Sequence, residues 1–274
     1  MTTDAKTGAL RPGAGAGAGA VHKTEATGRP SAASGLFLIV RRELGVYFGA
    51  WGGYVIAALM LLVAGVLFNV DAVGTGSKFS SEVLSTFIKD ASGVTMVGAV
   101  FISMRFIAEE RQSGTLPLLL NSSLTEAEIV LAKFLSGWIF LSLITLATAY
   151  MPLMIFVRGK VSLGHIGTGY LGLVLLGGAV LAIGTFGSAV ARSQVVAAVI
   201  SGAITVLMLL LWLLSRVVEG PLGDIASYLA LWDKQFAPFM RGSLELPAVV
   251  YYLSVMAFFL TLARNALESR RWSS

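Results

Sequence analysis

Apolar residues run through this chain in long blocks separated by short polar stretches. A helix that crosses a bilayer needs about 20 mainly apolar residues. Residues 51–70, 134–157, 166–190, 193–218 and 247–263 meet that requirement, the last lengthened by Leu244 and Leu246. Residues 91–108 predict a sixth span, with Arg105 close enough to its end for a long side chain to reach the interface. Upstream, 35–50 (GLFLIVRRELGVYFGA) sets Leu36, Phe37, Ile39, Val40, Leu44, Tyr47 and Phe48 around Arg41, Arg42 and Glu43. Helical spacing with clustered charge predicts an amphipathic helix in the headgroup plane, its arginines toward anionic lipid. The same residues also suit a plain extension of the first span. Residues 1–34 are rich in Ala, Gly, Pro and Thr and predict a flexible tail without the apolar core of a signal peptide.

Composition narrows the class. Of 274 residues, 56% are hydrophobic and 13% charged, with a mean hydropathy of +0.81. Soluble domains carry roughly 25% charged and 45–50% apolar residues, so lipid must solvate most of this chain. That excludes a soluble enzyme, a disordered scaffold and a nucleic-acid-binding domain. The expected fold is all-α: a polytopic membrane protein whose interfacial helix and six transmembrane helices occupy 35–272, preceded by the 1–34 tail. The net charge of +5 belongs to orientation. With the N-terminus inside, 13 Lys and Arg fall on the cytoplasmic side and 7 outside, which predicts both termini in the cytoplasm. The absence of Cys excludes disulfides, thiolate metal sites and Cys nucleophiles.

Catalytic and nucleotide-binding patterns are missing. No GxxxxGK[ST], HExxH, CxxC or GxSxG occurs. His22 falls in the tail and His165 in an outer loop, where a solvated or interfacial histidine is expected. The six apolar windows hold hydroxyls such as Ser142, Thr145, Thr185, Ser188 and Ser201, and almost no ionisable group. Ion-coupled carriers place charge at membrane depth, so energy for transport is expected from another subunit. Glycine clusters in the fourth window, where Gly184 and Ser188 form a small-xxx-small pair. Close intrachain packing and a mobile or pore-lining helix both fit that pattern.

Residues 109–133, EERQSGTLPLLLNSSLTEAEIVLAK, connect the second and third windows on the predicted cytoplasmic side. Glu109, Glu110 and Arg111 open the segment, breaks follow at 113–115 and 121–123, and Thr125-x-x-Glu128 reads as a capping box. A short helix across the cytoplasmic face is expected, offering charge and leucines to a partner or laying the leucines among headgroups. This stretch, extended to Phe134, resembles the ABC-2 family of ATP-binding-cassette transporter permeases. There E-x-R-x-G-T-x-x-x-L-x-x-S-P leads to an acidic residue and I-x-x-x-K. Leu124 departs from the family's proline, which touches only the turn before Thr125. Residues 170–202 and the ending ALESRRW are similar to the gliding-motility-associated permease subgroup.

The resemblance implies a coupling helix that docks on a separate ATPase, with Glu109, Glu110, Arg111, Gly114, Thr115, Leu116, Leu119 and Leu120 as the contact. It implies two ATPase subunits and a second permease, identical or related, with periplasmic or auxiliary membrane proteins as further partners. ATP and Mg would sit on the ATPase; no cofactor, catalytic residue or metal ligand is expected here. A bacterial cytoplasmic (inner) membrane location follows. Residues 224–245, with Tyr228, Trp232, Phe236 and Phe239, would correspond to short helices re-entering the outer leaflet; an interfacial aromatic belt explains the same residues. The alternatives are a non-transporting membrane anchor for an ATPase and periplasmic partners, or a secondary transporter. ATP-dependent export in vesicles argues against the anchor, and gradient-driven uptake by the chain alone would favour the carrier.

Overall fold

The structure is a computed structural model that describes residues 32–74, 79–114, 125–158, 162–218 and 220–271. Within them the fold is all-α, and six helices are long and apolar enough to cross a membrane. Helix α1 (Ala32–Gly49) turns at Ala50 into α2 (Trp51–Leu67), which ends in a π-helical turn, Phe68–Val73. Then come α3 (Ser80–Ser103), the short α4 (Ala108–Gln112), α5 (Glu126–Ala147) and α6 (Tyr150–Arg158). The last five are α7 (Leu163–Val190), α8 (Gln194–Val217), α9 (Pro221–Leu229), α10 (Asp233–Met240) and α11 (Leu246–Arg271). In hydrocarbon every backbone N–H and C=O must bond within the chain, so apolar runs of this length become helices.

Helix α7 is the axis of the bundle. Of its membrane-crossing stretch 83% is buried, against 17% for α2 and α8, and it packs on α3, α5, α8, α10 and α11. Its glycines make this possible, because small residues let helices approach where lipid gives them no hydrophobic drive. A Cβ on Gly178 would fall 2.5 Å from Met256 and 2.8 Å from the Trp138 indole nitrogen. That indole donates to the Val174 carbonyl at 2.9 Å, pinning α5 to α7. Thus the glycine-rich stretch serves packing inside one chain.

Two helices differ from their apolar windows. Helix α3 begins at Ser80, well ahead of Ala91, because its first turns bury Leu84, Phe87 and Ile88 on one face and expose polar residues on the other. Lys89 and Asp90, outside the window read from hydropathy, therefore lie on the helix. The third window is split: α5 stops at Ala147 and α6 starts at Tyr150. Pro152 has no N–H to give the carbonyl of Thr148. The Thr148 hydroxyl instead bonds the Thr145 carbonyl at 2.6 Å and lies 2.9 Å from the Tyr170 hydroxyl.

At the end of the bundle remote from α4, α9 and α10 form a hairpin that dips between the long helices. The Leu231 amide donates to the Met208 carbonyl at 3.2 Å. Tyr251 and Tyr252 donate to the carbonyls of Leu229 and Leu231, at 2.8 and 2.9 Å. Met208 lies about 14 Å before the end of α8 at the usual helical rise, so the hairpin tip sits well inside the bundle. Trp232 donates to Ser92 at 3.0 Å, and Phe236 and Phe239 are fully buried, Phe239 against Gly172 of α7. Tyr228 is half exposed. The His165 Nε2 lies 2.8 Å from the Met240 carbonyl, so this ring is part of the packed hairpin base and not a loosely solvated side chain.

Candidate functional site at the α4 end

The connection from α3 to α4 breaks the α-helical ladder. Ser103 ends α3, Met104 to Ile107 form a turn, and α4 starts at Ala108. A helix start leaves amides without intrahelical acceptors, and Ile107 supplies no side chain to cap them. The hydroxyl of Ser188 on α7 does so instead. It accepts from the Ile107 and Ala108 amides at 3.0 Å each and lies 3.3 Å from the Met104 carbonyl, to which it donates. One buried hydroxyl from the central helix thus closes the break.

Three consecutive charges on α4 project about 100° apart, as helical geometry dictates, and each anchors to a different neighbour. Glu109 takes a two-pronged pair from Arg105 in the turn, at 2.9 and 3.0 Å. Glu110 meets the ammonium of Lys133 on α5 at 2.7 Å. Arg111 donates to the Ala191 carbonyl where α7 ends. Lys133 is itself buried and lies 3.5 Å from Glu43 of α1, which also pairs with Arg42 at 3.1 Å. Glu43, Tyr47, Arg105, Glu109, Glu110 and Lys133 line a cleft of about 260 Å³. Burial, with Glu43 beside it, pushes the Tyr47 hydroxyl well above the ordinary phenol range, so it stays protonated in the cleft. Tyr47 also stacks on Phe140 with centroids 5.0 Å apart, fixing α1 on α5.

These placements divide the predicted contact residues. Glu109 keeps 43% of its side chain exposed and Ser113 and Gly114 are exposed, whereas Glu110 and Arg111 are engaged inside the chain. Thr115, Leu116, Leu119 and Leu120 lie outside the described residues. Arg41 and Arg42 are exposed on α1 and Glu43 turns inward to Lys133. The capping box is present: the Thr125 amide donates to Glu128 at 2.9 Å and the Glu128 amide to the Thr125 hydroxyl at 3.3 Å. Ser188 and Lys133 carry more of this geometry than the sequence showed. Lys133 closes the I-x-x-x-K pattern, and that was the available signal; the role of Ser188 needed the packing of α7 on the break.

A second concave feature lies between α2, α3 and α8, an apolar groove of about 850 Å³. Its walls include Leu59, Val63, Val97 and Leu209, and Lys89, Asp90, Ser92 and Trp232 stand at one end. No group of His, Asp or Glu among the described residues is placed to hold a metal ion.

The family profile described as ABC-2 family transporter protein matches residues 62–222, more than half the chain and all of the α4 site from Arg105 to Ala191. The chain belongs to the ABC-2 family of transporter proteins. Comparison with curated proteins finds no match. In this ABC-2 membrane domain, the matched region spans the last third of α2, the whole of α3 to α8 and the start of α9. Helices α1 and α11 lie beyond it, so the tie from Glu43 to Lys133 joins a helix outside the profile to a residue inside it.

Proposed function

We propose that this chain is the permease subunit of an ABC-2 transporter, driven by a separate ATPase that docks at the α4 end. The carrying observation is the construction of that end. The connection that the family resemblance assigns to ATPase docking starts from a short helix tied by Glu109 to the turn after α3, by Glu110 to α5 and by Arg111 to the end of α7. A segment held this way passes a displacement to α5 and α7 instead of moving alone. Glu109, Gly114, Thr115, Leu116, Leu119 and Leu120 form the contact in this reading, while Glu110 and Arg111 hold the platform. The α4 end faces the cytoplasm of a bacterial inner membrane, ATP and Mg bind the ATPase, and a second permease completes the pathway. ATP hydrolysis on the ATPase would drive export or transmembrane conformational work. Membership of the gliding-motility-associated subgroup is part of this reading and rests on the resemblance of 170–202 and the ALESRRW ending.

Gly114 gives a direct test. Its φ of +73° lies in the left-handed region, and among the described residues no atom lies within 4 Å of where a Cβ would stand. A valine there is strained by about 1–2 kcal/mol in the turn, while its Cβ meets no atom of the described residues, so the described bundle should stay folded. Co-expression with the ATPase encoded nearest to it is expected to give permease-dependent ATP turnover that Gly114→Val abolishes, with membrane insertion unchanged. Turnover that is unaffected by Gly114→Val removes the coupling role from this segment.

A further inference from the structure

We infer that Lys133 is the positioning residue that makes α1, α4 and α5 move as one body, so that displacement of the coupling segment is not lost at the Met104–Ile107 break. This deepens the permease reading and rests on it for its functional part. Helix α4 follows α3 through a turn without a continuous helical ladder, and such a connection can flex. A pull on α4 then needs a second attachment if it is to reach other spans. The ammonium of Lys133 supplies one: it lies 2.7 Å from Glu110 on α4 and 3.5 Å from Glu43 on α1. Only 7% of the Lys133 side chain is exposed, with 20% of Glu110 and 14% of Glu43. Charges this sheltered are screened little by salt and are held by geometry.

The two carboxylates also explain why a cation stands here. Glu43 and Glu110 approach the same point from different helices, and without Lys133 they would repel each other. Of the neighbouring cations, Arg42 pairs with Glu43 and Arg105 with Glu109. Lys133 is thus the joint between the exposed surface helix, whose Arg41 and Arg42 face outward, and the segment below it. Helix α1 packs along α5, so a displacement of α4 carried through Lys133 reaches both.

The test separates the joint from folding and from the permease reading. Lys133→Met alone leaves two facing carboxylates and is a poor probe, since removing one partner of a buried pair destabilises strongly. The combination Lys133→Met, Glu43→Gln and Glu110→Gln removes the repulsion with the cation. Nitroxide labels on the exposed positions Val46 of α1 and Ser113 after α4 report their separation in the full chain in lipid nanodiscs. The expected result is a narrow distance distribution in the parent and in Lys133→Arg, and a broad one in the triple variant. A triple variant as narrow as the parent overturns the joint. With the ATPase bound, labels on Leu131 and Val195 are expected to shift on ATP trapping. The triple variant should lose about tenfold of the shifted population while still binding the ATPase, and Lys133→Arg should restore it. An undiminished shift overturns the transmitting role. A parent complex that never shifts with ATP refutes the permease reading and leaves the Val46–Ser113 result standing.

Discussion

Gly184→Leu is expected to leave little folded protein. A Cβ at Gly184 would lie 1.8 Å from the Ser103 hydroxyl and 2.4 Å from the Ser103 Cβ. The obstacle is a short side chain fixed to its own backbone, so it cannot swing aside like the end of a methionine. Helices α3 and α7 would have to separate at the point where α3 ends and the break begins. Overpacking a fitted core costs about 1–3 kcal/mol, occasionally more, and a leucine in this space falls at or above the top of that range. Size-exclusion and thermal denaturation of the detergent-purified chain read the effect. Gly202→Leu is the control: among the described residues nothing lies within 4 Å of its Cβ position on α8, and its cost should stay within about 0.5 kcal/mol. Gly184→Ala combined with Ser103→Gly should recover much of what Gly184→Ala loses, since the second change removes the colliding atoms.

Ser188→Ala is expected to free α4 from the bundle. The substitution deletes one buried hydroxyl and strands three groups, the Ile107 and Ala108 amides and the Met104 carbonyl. Each buried orphan costs about 1–3 kcal/mol, so the local opening of α4 becomes easier by about 3 kcal/mol. Hydrogen exchange at the Ile107 and Ala108 amides should quicken about a hundredfold, while α7 itself keeps its protection. Exchange at those two amides that matches the parent would show that another group caps α4.

Much of this was legible from the chain. Long apolar blocks in 51–70, 166–190 and 193–218 became α2, α7 and α8 because hydrocarbon leaves a backbone few other choices. Thr125 and Glu128 were readable as a capping box because its two partners are three residues apart. The start of α3 was less visible: its first turns are amphipathic, and hydropathy averages over the buried Leu84, Phe87 and Ile88 and the polar residues between them. The stop between α5 and α6 had a signal in Pro152, but the hydroxyl pair from Thr148 to Tyr170 joins residues on different helices. The same holds at the site. Glu109, Glu110 and Arg111 could be picked out by charge in a nearly uncharged chain, yet their partners Lys133, Ser188 and Ala191 come from helices that only packing brings alongside. Glycines at 178 and 184 announced close contact without naming Trp138, Met256 or Ser103 as what they touch.

In the proposed permease, the segment beginning at α4 receives the motion of a separate ATPase. A photoreactive amino acid at Ser113, exposed just after α4, tests it most directly in a complex co-purified with the ATPase from membranes. Irradiation should join Ser113 to the ATPase, whereas the same group at Leu222, exposed at the opposite end of the bundle, should not. An ATP-hydrolysing complex that cross-links through Leu222, or one in which Ser113 captures no ATPase, would contradict the account.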